Sequence, residues 1–317
     1  MLLILAALAF AVVCGANDGA ALVALNLNDN LVPPLWALVT LCVVLALGPF
    51  LLGTAVATTF VHRLVAFEGD SGRSALLASV IVAVAVVFAL QRQGLPTSLT
   101  LALTGAIVGV GLGSGLPIGW GAVLLTLVAG AVAPFASGAL AFLGLRLLPL
   151  VPRRGGLHAR LAVLRRGSFF LQCVAYAAND GQKMLAVLAV ATGSLTAVLR
   201  PGALELLAIG VLFGVGTLVG IRGVGTSLGR GIAPARPAQA GIAELTSAVA
   251  VLAGAALGAP VSMTQSTTAA LVGAGASAAH RQVRWGQASR IVIAWVATLP
   301  ASVVIAALFA AVAGWAR

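Results

Sequence analysis

The tetrad Ala-Asn-Asp-Gly occurs twice, at residues 16–19 and 178–181, and each copy lies inside a long apolar stretch. Only seven of the 317 residues are acidic. A carboxylate inside a bilayer costs about 2.5–3.5 kcal/mol even on insertion-based scales, and such residues usually face an ion or substrate pathway. The duplication therefore predicts a transporter built from two related halves, in which the pairs Asn17–Asp18 and Asn179–Asp180 meet at a central site.

Asp18 and Asp180 are candidate ligands for Na⁺, since hard cations take oxygen ligands such as carboxylates and unwound backbone carbonyls. Each carboxylate could instead carry a proton, or form a purely structural hydrogen bond between helices. Glu244, which opens a later apolar run, is either a further cation-coupling residue or a charge favoured by the start of a helix.

A second pair of motifs places hydroxyl side chains directly after a Gly-x-Pro break, at residues 94–100 and 258–264. Proline suits the first turn of a helix, and Ser or Thr caps its start. The free backbone N–H groups and the positive end of such a helix favour a tetrahedral oxyanion. The alternative is that Gly-Pro only kinks a helix and the hydroxyls bond to the preceding turn. The candidate substrate-binding residues are Asn17, Thr97, Ser98, Thr100, Asn179, Ser262 and Thr264.

Gln182 and Lys183 follow the second Asn-Asp motif only, and both are further candidates for binding substrate. Lys183 is the sole lysine of the chain, so its position is not part of a basic run. The alternative for Lys183 is that its ammonium group extends to the membrane interface.

The composition sets the class of protein that must position these residues. The chain is 61% hydrophobic and 8% charged, with a mean hydropathy of +1.13, whereas soluble domains carry about 25% charged residues. Continuous apolar runs predict an all-α, multi-pass protein of the cell membrane, embedded in the lipid bilayer. The net charge of +11 comes from arginines clustered between apolar runs, which is the pattern of cytoplasmic loops and excludes a nucleic-acid partner.

The apolar runs divide into about five spans per half, with discontinuous helices or re-entrant hairpins at the motifs. The two motif pairs recur in the same order at offsets of 162 and 164 residues. An odd number of crossings per half would make the halves inverted repeats. We predict an N-terminal transmembrane repeat at 1–150, a basic cytoplasmic linker at 151–166 and a C-terminal transmembrane repeat at 167–317. Expected spans are 1–28, 33–59, 74–90, 99–113, 119–150, 167–199, 204–221, 242–257, 265–279 and 288–313.

Together these motifs resemble the inorganic phosphate transporter family, which includes sodium- and proton-coupled phosphate permeases and related sulfate permeases. That family carries a Gly-Ala-Asn-Asp motif and a Gly-Leu-Pro-Val-Ser-Thr-Thr-His type motif in each half. Departures include Tyr176-Ala177 in place of a common His-Gly, and Leu101 and Gln265 in place of the usual His. The matching segments are residues 14–21, 53–58, 94–100, 178–183, 258–264 and 295–300.

The resemblance implies inverted repeats, often a dimer, and a secondary active transporter that imports inorganic phosphate with Na⁺ or H⁺ by alternating access. A proton-coupled sulfate permease of the same fold is the alternative. An enzyme would need a nucleophile–base pair, and its catalytic set need not repeat in both halves, so the duplication favours transport. The chain contains no Walker-type Gly-Lys-Ser/Thr loop, which argues against coupling to ATP. We therefore expect no cofactor beyond the coupling ion.

Overall fold

The computed structural model describes residues 2–26, 31–67, 69–92, 97–148, 156–193, 202–221, 236–279, 281 and 283–313, and most of these are helical. Among these described residues, short π-helical turns occur at Gly15–Gly19, Thr59–Arg63 and Ala177–Gly181. The α-helices are α1 Leu2–Cys14, α2 Ala20–Asn26, α3 Pro34–Leu51, α4 Ala55–Thr58, α5 Gly69–Gln91, α6 Leu99–Ser114, α7 Trp120–Leu147, α8 Leu157–Tyr176, α9 Gln182–Thr192, α10 Ala203–Gly220, α11 Pro237–Ala256, α12 Met263–Ala278 and α13 Trp285–Val312.

Seven helices in the described part of the chain are long and apolar enough to cross a membrane. Large apolar side chains such as Phe50, Phe135 and Leu204 are exposed on their outer faces, as a lipid-facing surface requires. Helices α6 and α12 have only 16 residues each. At ~1.5 Å per residue each is about 24 Å long, less than the ~30 Å hydrocarbon core. These observations establish the predicted all-α polytopic architecture with discontinuous helices.

Two segments differ from the structure that the sequence predicts for them, namely the span 33–59 and the linker 151–166. The predicted span 33–59 ends as a helix at Leu51, because the chain turns at Gly53 with a φ of +83°, a backbone conformation open mainly to glycine. Helix α4 follows at Ala55. Residues 157–166 of the predicted linker form the first turns of α8, whereas residues 151–155, with Arg153 and Arg154, lie outside the described residues.

Helices of the two halves pack against each other in reciprocal pairs. Helix α6 of the first half packs along α13 of the second half, and α12 of the second half packs along α7 of the first. In the same way, α1 and its π-turn contact α10, while α8 and its π-turn contact α3. Each half therefore completes the core of the other, and the motifs of both halves are brought to the same region.

Small residues permit the closest of these contacts. Gly105, Gly109 and Gly113 recur every four residues on α6 and face backbone carbonyls of α13. A Cβ atom added at Gly109 would lie 2.3 Å from the carbonyl oxygen of Val303. Small residues at this spacing let membrane helices approach closely, so α6 and α13 pack together along most of the length of α6.

Candidate functional site

Each Asn-Asp motif lies in a π-helical turn in the middle of a longer helix. The interruption predicted at each motif is thus a widened turn rather than an unwound loop. π-Turns are rare and often occur at functional sites. The four polar side chains, Asn17, Asp18, Asn179 and Asp180, are all buried, and in each motif the Asn amide donates to the neighbouring Asp, at 2.7 Å for Asn17 and 2.9 Å for Asn179.

Asp18 is held by neutral donors from the second half of the chain. The hydroxyl of Thr264 donates to Oδ1 over 2.6 Å, and the hydroxyl of Tyr176 donates to Oδ2 over 3.2 Å. Thr264 was predicted to take part in the site. Tyr176 was not, although it is the only tyrosine of the chain and lies three residues before Asn179.

Asp180 has a cationic partner. The ammonium group of Lys183 bonds to Oδ1 of Asp180 and to the hydroxyl of Thr100. Only 2% of Lys183 is exposed, so the alternative in which it extends to the membrane interface is wrong. The hydroxyl of Thr100 in turn donates to the carbonyl of Val261 over 3.3 Å.

Asn179 fixes the chain just before α12. Its side-chain oxygen accepts from the backbone N–H of Val261 at 3.0 Å, and its amide nitrogen donates to the carbonyl of the same residue. These two bonds dock the second Asn-Asp motif against the second Gly-x-Pro motif. Since Thr100 also bonds to Val261, the starts of α6 and α12 lie beside each other.

Both short helices have the expected serine cap. Ser98 Oγ accepts from Leu101 N over 3.2 Å, and Ser262 Oγ accepts from Gln265 N over 3.4 Å. Both serine side chains therefore cap the helices that follow them. Residues 93–96 of the first Gly-x-Pro motif lie outside the described residues. Thr97, directly after them, is buried, and its hydroxyl has no hydrogen-bond partner.

Gln182 is predicted to bind substrate, but its side-chain oxygen bonds to backbone N–H groups at the start of α4. Oε1 accepts from the backbone N–H groups of Val56 and Ala57, at 2.7 and 3.2 Å, at the beginning of α4. Its contacts connect the second Asn-Asp motif to the short helix α4 that follows α3.

Glu244 lies in a separate buried cluster. One oxygen accepts from the Arg165 guanidinium and from Ser168, the latter at 2.6 Å, and the other accepts from Asn26 at 3.0 Å. Asn26 ends α2, and Asp18 lies eight residues before it, about 12 Å at ~1.5 Å per residue. The structure thus does not bring Glu244 to the two aspartates, and it pairs both carboxylate oxygens with protein donors. Arg165 of the predicted basic linker is fully buried here.

A small cavity reaches Asp18. Its polar lining consists of Asp18, Thr264 and Thr267, and the remainder is apolar: Ala21, Leu22, Leu25, Met263 and Leu271. Trp295 packs with Ala21 and Leu101 near this cavity, and its indole N–H is buried without a hydrogen-bond partner. A buried Trp usually finds such a partner. The segment that begins at Trp295 is among the family-like segments of the sequence, but its sequence does not predict a buried indole N–H without a partner.

The profile of the Phosphate transporter family matches residues 1–141 and 157–306. The chain belongs to this family. A "Probable low-affinity inorganic phosphate transporter" of Bacillus subtilis (strain 168) is 26% identical over 319 aligned residues, which cover 97% of this chain and 95% of the relative. Proteins with the same description from Rhizobium meliloti (strain 1021) and Mycobacterium tuberculosis (strain ATCC 25618 / H37Rv) are 32% and 29% identical. They are matched over 68% and 95% of this chain, and over 67% and 74% of their own lengths.

A solved structure described as "The sodium-dependent phosphate transporter" superposes with a TM-score of 0.84. The superposition covers 99% of this chain and 98% of the solved chain. Because only 18% of the aligned residues are identical, the similarity is one of fold. The relatives that match are transporters rather than enzymes. Family membership and the seven apolar helices identify a multi-pass protein of the cell membrane.

Proposed function

We propose that the protein imports inorganic phosphate together with a monovalent cation, Na⁺ or H⁺, by alternating access. The single observation that carries this proposal is the meeting of four motifs at one buried centre. Hydrogen bonds connect Asp18 to Thr264, Lys183 to Thr100 and Asn179 to Val261. Each bond joins an Asn-Asp motif to a Gly-x-Pro motif, and the first two join opposite halves of the chain.

Phosphate would bind beside the starts of α6 and α12. Backbone N–H groups of a helix start and its partial positive charge suit an oxyanion. The hydroxyls of Thr97 and Ser98, the indole N–H of Trp295 and the Lys183 ammonium supply further donors there. The proposed substrate site also includes the other predicted residues, which bind or orient these donors: Asn17, Thr100, Asn179, Ser262 and Thr264.

The coupling cation would bind at Asp18. This carboxylate lines the cavity, and its described partners are neutral hydroxyl and amide groups. Placing a cation there offsets the cost of a buried carboxylate and part of the charge of the entering anion.

Alternating access is supported by the reciprocal packing. In inverted-repeat transporters the substrate lies at the interface of the repeats, and one unit moves against the other around it. Here α6 with α13 and α12 with α7 form two matched helix pairs, each beginning at a capped helix start beside the site. The repeat boundaries and a homodimer stay predictions.

The test is uptake of labelled phosphate into proteoliposomes with an imposed Na⁺ or proton gradient and with sulfate as a competitor. We expect gradient-driven uptake that excess sulfate leaves largely unchanged. Asp18→Asn should abolish the gradient-driven component while the protein stays folded. Ser302→Ala removes a buried hydroxyl that has no hydrogen-bond partner, and this control should resemble the wild type. Near-normal gradient-driven uptake by Asp18→Asn would refute the assignment of the cation site, and inhibition by sulfate at equal concentration would identify a different anion.

A further inference from the structure

The buried charges of the described residues do not balance. The fully or almost fully buried charged side chains are three acids and two bases: Asp18, Asp180, Glu244, Arg165 and Lys183. Glu244 is paired with Arg165, and Asp180 is paired with Lys183. A buried ion that lacks an opposite charge is costly, and the one surplus negative charge is on Asp18.

The two aspartates share their position in the motif and a Thr partner, although only Asp18 also accepts from Tyr176 among the described contacts. Each lies at the same place in a π-turn and faces a Thr from the other half, at the fourth position after the Gly-x-Pro proline. Thr264 bonds directly to Asp18. In the other pair the ammonium group of Lys183 lies between Thr100 and Asp180 and bonds to both.

A cation bound between a hydroxyl oxygen and a carboxylate would make the contacts that this ammonium makes. The residue at the matching position of the first half, three after the aspartate, is Ala21, which lines the cavity beside Asp18. The first half therefore leaves open a position that a lysine side chain fills in the second half.

We propose that Lys183 is a built-in cation that occupies the coupling position at Asp180, so that transport uses one mobile cation, bound at Asp18. This inference rests on the proposed function, because it concerns the stoichiometry of the same site. It gives Lys183 a role in ion coupling beside its role as a donor to phosphate, and it accounts for the burial of this side chain. It also distinguishes the roles of two aspartates that the sequence motif makes identical.

The experiment measures how steep a phosphate gradient a given cation gradient can balance in proteoliposomes clamped at zero membrane potential. The ion is whichever of Na⁺ and H⁺ drives uptake by the wild type, and the phosphate gradient is expressed for the ionic form carried. With one mobile cation, a tenfold cation gradient balances a tenfold phosphate gradient. Since this equilibrium does not depend on the rate, slow variants are as informative as fast ones.

Lys183→Met should vacate the second position, so that a tenfold cation gradient balances about a hundredfold phosphate gradient. Lys183→Arg keeps the fixed charge and should give the wild-type ratio whatever its rate. Ala21→Lys should fill the first position, so that phosphate only equilibrates and the cation gradient has no effect.

Three results would overturn the inference: a wild-type ratio of two or more cations per phosphate, an unchanged ratio in Lys183→Met, or full coupling in Ala21→Lys. If the substituted proteins do not fold, the wild-type ratio still tests the inference, since a ratio of one supports it and a ratio of two or more overturns it. Absence of phosphate uptake by the wild type would contradict the proposed function itself, which separates the two failures.

Discussion

Replacing Glu244 with Gln should strongly destabilise the protein, because Arg165 would remain buried without an opposite charge. Neither side chain of this pair is exposed. Arg165 also donates to the carbonyl of Leu25 at 3.1 Å and to the side chain of Asn26 at 2.8 Å, so it cannot turn toward water without breaking these bonds. Removing one partner of a buried ion pair costs about 3–5 kcal/mol.

The measurement is the apparent melting temperature of the purified protein in detergent, followed by circular dichroism. With an unfolding entropy of about 2.1 cal/mol/K per residue, a destabilisation of about 1 kcal/mol lowers the melting temperature of a 317-residue chain by roughly 1.5 °C. We therefore expect Glu244→Gln to melt roughly 5–8 °C below the wild type. The matched control is Glu205→Gln, since Glu205 is a partly exposed acid that bonds to the backbone at the start of its own helix. An exposed charge of this kind contributes about 1 kcal/mol or less.

A double variant distinguishes the missing charge from a general packing defect. Arg165→Met with Glu244→Leu removes both charges, and apolar pairs of similar volume often match or exceed a buried ion pair in stability. The double variant should therefore melt above Glu244→Gln. If Glu244→Gln melted within about 2 °C of the wild type, or if the double variant were the less stable of the two, the account of this cluster would be wrong.

Three further substitutions test other parts of the structure by the same melting assay. Gly109→Ala should lower the melting temperature clearly, because its Cβ would lie 2.3 Å from a backbone oxygen of α13, whereas Gly130→Ala should not, because nothing lies within 4 Å. Ser98→Ala should cost about 1 kcal/mol through the lost helix cap, while Ser302→Ala removes a buried hydroxyl without a partner and should be close to neutral. Asn179→Ala should cost about 1–3 kcal/mol, because it leaves the buried N–H of Val261 unpaired, whereas the Val261 carbonyl keeps its bond from Thr100.

The local structure of the Gly-x-Pro motifs could be predicted from the sequence, because it depends on residues that are neighbours in the chain. A Ser after a Gly-x-Pro break predicts a helix cap from backbone chemistry alone, and both Ser98 and Ser262 have that contact. The duplication of the Asn-Asp pair predicted that the two copies lie at one site, and this prediction needs no knowledge of how the helices pack. The widened π-turns were not foreseen, since nothing in Ala-Asn-Asp-Gly distinguishes a π-turn from a loop.

The unforeseen partners are residues whose role depends on tertiary contacts. Tyr176 and Trp295 read as ordinary aromatic residues of apolar spans, and only the fold brings one to Asp18 and the other to the cavity. Arg165 belongs to a run of arginines that indicates a cytoplasmic loop. Its burial against Glu244 depends on α8 packing along α11. The two residues are 79 positions apart in sequence, and charge patterning cannot predict that pairing.

The asymmetry of the site arises from residues that the repeated scaffold leaves free to vary. The π-turns, helix caps and Asn amides recur in both halves because backbone groups must be satisfied wherever the motif occurs. The residue three positions after each aspartate carries no such constraint, and it is Ala21 in one half and Lys183 in the other. The residue three positions before each Asn differs in the same way, as Cys14 and Tyr176. Under the stoichiometry proposed above, in which one anion moves with one cation, the two carboxylates need unlike surroundings. Substitution at these positions supplies such surroundings without disturbing the backbone that both halves share.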